Sequence, residues 1–376
     1  MVALARQTLI HEWRRFLPAI IAVGFAGLLQ LLQAGLVLGI FGSASVYITS
    51  SVADLWVGYP GTQSVNLGRP IDADVEMRLR MDYDVLKVEP FQWVDADWRG
   101  ARGTGGVSVF VSGINAGPNG LMYERILSKA LRARLKEPGA VIIDRADLVS
   151  LGVNPGDTAT INGHRVRVVG VTSGLRALGG VNVVTSLATA RQLDTAVVGN
   201  RTTYLVAKVR DPAQAAAVAT RLEGATAFGS YAVWTAKQFA HRSQMYWIFD
   251  TGAGAGVLFM AGIVFLVGAV ITSQTLVAAV IGSIREYATL NALGVGVNAL
   301  RKVVMEQAFW VGAIGLLGSS VLAGGLFAIA AHFNVPVELS PLAVGTCLLL
   351  SMILALASGL AAIRTLRHAD PASLLR

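Results

Sequence analysis

Residues Phe16 to Phe41 read FLPAIIAVGFAGLLQLLQAGLVLGIF. This run of about 26 residues has no charged side chain, and roughly 20 apolar residues are enough to cross a bilayer's hydrocarbon core as a helix. A basic segment with Arg14 and Arg15 precedes it, as in a secretory signal peptide. The run is longer than the roughly 7–15 residues of a signal's apolar part, and no Ala-x-Ala cleavage pattern follows, so a retained span is expected. Three further runs are equally apolar: 251–282 (TGAGAGVLFMAGIVFLVGAVITSQTLVAAVIG), 307–331 and 341–363. The composition agrees, with 54% hydrophobic residues, 14% charged residues and a mean hydropathy of +0.58. Such a balance is too apolar for an ordinary soluble domain.

Four spans place both termini on one side. The short segments carrying Arg6, Arg14 and Arg15, then Arg285, Arg301 and Lys302, then Arg364, Arg367 and Arg376 hold the basic residues, whereas 332–340 has no Lys or Arg. The positive-inside bias therefore predicts a cytoplasmic N-terminal amphipathic helix (1–15), a cytoplasmic 283–306 segment and a cytoplasmic tail (364–376). The 332–340 connector and the long 42–250 region are expected outside. The net charge of +8 does not imply nucleic acid, because the middle region's basic residues are nearly balanced by Asp and Glu. The single cysteine, Cys347, excludes an intrachain disulfide.

The 42–250 region alternates strand-like and helix-like runs, which predicts an α+β domain with a stalk. Val107–Ile114 reads as a strand, and Gly120–Lys136 carries Leu121, Ile126, Leu127, Leu131 and Leu135 at helical spacing. Pro-Gly-Asp and Asn-Gly signals between 140 and 174 predict a small β-rich subdomain. TYLVAKV, DPAQAAAVATRLE and YAVWT suggest a β-α-β unit, with Asp211 capping and Pro212 opening its helix.

Candidate sites are few. Gly35 with Gly39 and Gly252 with Gly256 have the small-xxx-small spacing that lets helices pack closely. Gly252, Gly254 and Gly256 also imitate part of a dinucleotide fingerprint, but no strand precedes them and a span follows, so no cofactor is expected there. Gln30 and Gln33 would share a face directed at another helix. His164 follows the Asn162-Gly163 turn and reads as a hairpin-edge residue. His241 lies in a helical stalk with Met245 at i+4; with Tyr47 and Tyr246 these are the only candidates for an axial haem ligand near the outer leaflet. No catalytic, cofactor or metal constellation is legible. No G-x-x-x-x-G-K-[ST] loop occurs, so ATP and Mg are expected on another subunit.

The segment SIREYATLNALGVGVNALRKVVMEQA (283–308) resembles the Arg-Glu-x-x-x-Leu-x-Ala-Leu-Gly signature of FtsX/MacB-type ABC transporter permeases, with Glu306 as the membrane-edge acid that follows it. The ending RTLRHADPASLLR is similar to the family's basic turn, Asp-Pro and short helix. The HEWRRF opening and the ADLWV run look most like the DevC group of exporter permeases. The resemblance implies a fold of four transmembrane helices with a MacB periplasmic-core-like domain between helices 1 and 2. It also implies a non-catalytic inner-membrane subunit coupled to a separate ABC ATPase through Arg285, Glu286, Leu290, Leu293 and Gly294. A second permease copy forming a homodimer, a periplasmic adaptor (membrane fusion protein) and membrane lipids are the expected partners. Export of a hydrophobic or lipid-like substrate is the leading function; FtsX-like mechanotransmission to an extracytoplasmic enzyme and haem export are the alternatives.

Overall fold

The computed structural model describes residues 11–100, 106–194, 200–223, 230–282, 297–333, 335, 337–338 and 340–367. They form two compact units, one of residues 41–254 and one of the remaining chain.

The membrane unit consists of α1 (Trp13–Ser43), whose last residues enter the outer unit, and three further long helices. Before them the outer unit contains α2 (Val46–Thr49), α3 (Val75–Arg80), α4 (Lys129–Arg134), α5 (Leu148–Leu151), α6 (Leu187–Leu193), α7 (Ala215–Leu222) and α8 (Ala236–Met245). The membrane helices α9 (Ala253–Gly282), α10 (Val297–His332) and α11 (Pro341–Arg367) follow. Among the described residues four helices are long and apolar enough to span a bilayer. Phe16, Ala19 and Val23 of α1 pack with Leu276 of α9, Val311 of α10 and Ala355 of α11. In the most apolar window of α9 11% of the residues are buried, the lowest share among the four long helices, so α9 packs least against the other described helices.

Helix α10 begins at Val297, well before the hydropathy limit at 307. Arg301, Lys302 and Glu306 are therefore helical; helical hydrogen bonding continues past the point where the sequence ceases to be apolar. Before α9 the chain breaks at Gly252, whose φ of +71° lies in the left-handed region that favours glycine.

The strands of the outer unit are β1 (Leu55–Gly58), β2 (Ile71–Asp72), β3 (Val85–Arg99), β4 (Val107–Ile114), β5 (Ala140–Asp144), β6 (Thr158–Ile161), β7 (His164–Thr172), β8 (Val181–Ser186), β9 (Arg201–Thr202), β10 (Tyr204–Val209) and β11 (Ala232–Thr235). Nine of them are hydrogen-bonded in the order β11-β1-β10-β3-β4-β8-β5-β7-β6, and β6 returns to pair with β3. The second half of the arrangement is thus a closed ring, sealed where Trp98 faces Ile161 and Arg99 faces Thr160. Strand β3 alternates accordingly. Val94, Ala96 and Trp98 enter the ring's core, while Asp95, Asp97 and Arg99 are exposed.

The first half is a sheet of β11, β1, β10 and the start of β3, covered on both faces. Leu55, Val57, Leu205 and Ala207 pack with Val218 and Leu222 of α7 on one face. Trp56, Tyr204 and Val206 meet Phe91 and Phe239 on the other. The β-α-β expectation holds in a split form, because β1 lies between β10 and β11. Asp211 accepts a hydrogen bond from the Ala213 amide at 3.0 Å, with Pro212 opening a 3₁₀ turn before α7.

The helix expected over Gly120–Lys136 is shorter, and only Lys129–Arg134 is α-helical. Tyr123 has a φ of +54°. Its hydroxyl lies 2.9 Å from Ser112 Oγ and 2.9 Å from Asn182 Nδ2, and the Leu121 amide donates to buried Glu89 at 2.7 Å. These tertiary bonds hold the 121–123 stretch in its non-helical conformation. Arg132, 1% exposed, donates to the carbonyls of Asn115 and Met122 and fixes the same segment. Burial pushes its pKa down, against the nearby carboxylates of Glu89 and Glu124.

Candidate functional site

The chain enters the outer unit through the turn after α1 and leaves it through α8. Helix α8 starts with a capping box: the Gln238 amide donates to Thr235 Oγ1 and the Thr235 amide donates to Gln238 Oε1. Two turns later Ser243 is fully buried. Its Oγ donates to the Ala44 carbonyl at 2.9 Å and lies 2.7 Å from Ser64 Oγ. Since Ser243 has one hydroxyl proton and gives it to Ala44, Ser64 must be the donor to Ser243. Ser64 Oγ in turn accepts from Trp247 Nε1 at 3.3 Å. A directed chain of hydrogen bonds runs Trp247 to Ser64 to Ser243 to Ala44. Beside it Gln244 Nε2 donates to Ser45 Oγ at 3.0 Å.

An aromatic box supports this clamp. The Trp56 ring lies 5.6 Å from Phe91, 5.5 Å from Tyr204 and 5.6 Å from Phe239 of α8, and Phe239 stacks on Trp234 at 4.8 Å. Tyr204 donates to the Val65 carbonyl at 2.8 Å, one residue after Ser64. Burial holds the Tyr47 and Tyr204 phenols well above their ordinary range, so both remain protonated. Entry segment, exit helix and sheet are therefore fastened in one place.

Two open cavities flank α8. One, of about 650 Å³, is lined by Arg125, Lys237 and His241 among others; the second, of about 520 Å³, is lined by Met245 and Tyr246. The four residues considered for haem are not brought together: Tyr47 is buried in the core, and His241 and Met245 line different cavities. Among the described residues no group of three His, Cys, Asp or Glu side chains could hold a metal ion. His164 is exposed at the start of β7, after Asn162 and Gly163 with φ of +47° and +81°, a two-residue hairpin turn.

In the membrane unit, a Cβ on Gly35 would lie 2.4 Å from the Phe327 ring, so α1 and α10 meet there. Gly39 is buried. A Cβ on Gly256 would meet nothing within 4 Å among the described residues, and Gly252 serves the break before α9. Gln30 is buried and accepts from Ser351 of α11, while its Nε2 has no protein partner. Glu306 is half-buried on α10. Arg285, Glu286, Leu290, Leu293 and Gly294 lie outside the described residues.

Two further close helix approaches involve residues that sequence reasoning passed over. A Cβ on Gly315 would lie 2.9 Å from the Ile20 carbonyl and 3.0 Å from the Gly24 nitrogen, and one on Gly359 would lie 2.9 Å from Ala308 Cβ. Gly315-xxx-Ser319 and Ser351-xxx-Ala355-xxx-Gly359 carry the same small-residue spacing and were the available signal.

These features define a polytopic membrane protein with a β-rich domain inserted after its first span. Residues 20–225 match the MacB-like periplasmic core domain and residues 258–371 the FtsX-like permease C-terminal domain. The first match alone covers more than half of the chain, and the protein belongs to the FtsX/MacB-type ABC transporter permeases. No curated protein matches it. Among solved structures it is similar to the periplasmic region of MacB from Actinobacillus actinomycetemcomitans, at 13% identity over 52% of this chain and 94% of that one, with a TM-score of 0.36. It is also similar to the extracellular domain of the noncanonic ABC-type transporter YknZ from Gram-positive bacteria, at 15% identity over 48% of this chain and 99% of that one, with a TM-score of 0.34. Permeases of this family work with an ABC ATPase.

Proposed function

We propose that the chain is the permease subunit of an ABC-type exporter that converts ATP hydrolysis on a separate subunit into movement of its outer domain, extruding a hydrophobic or lipid-like substrate. The observation that carries this reading is the clamp from Trp247 through Ser64 and Ser243 to Ala44, which fastens the segments following α1 and preceding α9 to one another and to the sheet. A domain held at both connections moves as a lever when the helices move. In this reading ATP and Mg reside on the partner ATPase, and two permease copies form a homodimer in the inner membrane with their termini in the cytoplasm. A periplasmic adaptor receives the cargo.

The test is co-purification of the chain with its ABC ATPase and reconstitution into liposomes. ATP hydrolysis is expected only when both subunits are present. Ser243→Val, which breaks the chain of hydrogen bonds, is expected to leave assembly and basal hydrolysis in place and to reduce substrate-stimulated transport severalfold. Hydrolysis by the isolated permease, or full transport by the variant, would overturn the reading. Transport-silent complexes that instead activate an extracytoplasmic hydrolase would favour mechanotransmission.

A further inference from the structure

The turn after β1 and the last turns of α8 enclose an open cavity of about 520 Å³, within the size range of small-molecule sites. Gly61 forms one wall with a φ of +80°, and a Cβ there would meet nothing within 4 Å. The facing wall is formed by Arg242, Met245, Tyr246, Phe249 and Asp250, the last three on a π-helical turn, Tyr246–Asp250. Such turns are uncommon and recur at functional sites.

One cation and one anion line this cavity. Among the described residues neither Arg242 nor Asp250 takes part in an ion pair. Arg242 lies over the Trp234 ring at 5.7 Å, a contact that positions the guanidinium without neutralising it. Eight positions of helical rise separate the two backbones by roughly 12 Å. A molecule that satisfies both charges must itself carry a separated cation and anion. Between them lie the half-buried Met245 and Phe249, a large apolar side chain left 66% exposed. Opposite charges beside exposed apolar surface complement a zwitterionic amphiphile, and Asp250 stands three positions before Ala253, where a membrane-spanning helix begins.

We propose that this cavity binds a zwitterionic phospholipid, with its phosphate at Arg242, its ammonium at Asp250 within reach of the Tyr246 ring, and its first acyl carbons against Met245 and Phe249. The role of the bound lipid as cargo rests on the exporter reading; its binding does not, and is measured without ATP or the ATPase.

The full chain is placed in phosphatidylglycerol nanodiscs containing a small fraction of a diazirine-bearing phosphatidylethanolamine or, in a second arm, the matched phosphatidic acid. After photolysis the adducts are mapped by mass spectrometry. Phosphatidylethanolamine is expected to label peptides containing Gln63 and Tyr246–Asp250 at least tenfold more than phosphatidic acid does. Asp250→Asn and Arg242→Gln should each reduce that labelling about tenfold while adducts on α10 and α11 stay constant, which controls for folding. Equimolar soluble phosphoethanolamine should not compete, because it lacks the acyl carbons. Equal labelling by both lipids would make these aromatics a general interfacial anchor and overturn the proposal. Unchanged labelling in both variants, or displacement by the free headgroup, would overturn it as well.

Discussion

Arg221 grips Asp82 with two nitrogens, Nε at 2.8 Å and Nη2 at 2.7 Å, and Nη2 also reaches Asp84 at 2.8 Å. The guanidinium bonds hold the Asp82 carboxyl below its ordinary range, against a smaller opposing effect of burial. A carboxylate whose pKa is lower folded than unfolded stabilises the fold above the unfolded value, and that contribution disappears as pH falls through the folded one. Arg221→Gln should therefore lower the thermal midpoint of the outer domain at pH 7. The gap from wild type should narrow below about pH 4, where unfolded aspartates protonate. Parallel melts across pH check this, and a gap independent of pH would assign the effect to the guanidinium's contact with the Tyr83 ring, which it overlies at 4.8 Å. Individual contacts of this kind were not legible in the sequence: Asp82 and Arg221 are far apart in the chain, and no local pattern pairs them. Asp211 and Thr235 were different cases, since a cap uses neighbours two or three positions away; Asp211 was read correctly for that reason.

At the level of elements, the spans were legible because apolar length is a local property, whereas their packing was not. The pair Gly252 and Gly256 has the right spacing but no described atom lies within 4 Å of a Cβ placed on either, while Gly24 and Gly315 bring α1 and α10 into backbone contact. Gly315→Leu should force these helices apart at a cost of about 1–3 kcal/mol, the range for overpacking a tight contact. The measurement is the detergent or thermal midpoint of the full chain. Gly256→Leu is the matched control and should be close to neutral in the monomeric chain; a large loss seen only in the dimeric fraction would show that α9 packs against a second copy. Ser351→Ala removes one interhelical hydrogen bond to Gln30 and should have a smaller effect, near the roughly 0.6 kcal/mol average of such bonds in membranes. The ring closure by β3 and β6 was equally hidden, since it joins segments whose hydrophobic patterns are identical to those of an open sheet.

For the molecule as a whole, the orientation drawn from basic residues makes a direct prediction. With Cys347 replaced by alanine, a cysteine at exposed position 164 should react with a membrane-impermeant maleimide from outside intact spheroplasts, and one at exposed position 302 only after lysis. The same side for both would refute the topology. Reversal of Arg285 and Glu286 together should leave insertion and dimerisation intact and weaken ATPase binding by about 2–5 kcal/mol, the usual loss for a desolvated charge contact. Pull-down titration reads this directly, and wild-type affinity would remove the pair from the coupling surface. The order of strands also has a consequence in time. Every strand of the ring lies between Val85 and Ser186, so the ring can close as soon as that stretch has crossed the membrane. Strand β1 emerges earlier, yet its neighbours are β10 and β11, which arrive only with Tyr204–Val209 and Ala232–Thr235. On the orientation drawn from the basic residues, the apolar Leu55-Trp56-Val57 edge waits unpaired until nearly the whole domain has been delivered, and this interval is when a stalled or truncated chain is most exposed to aggregation and proteolysis.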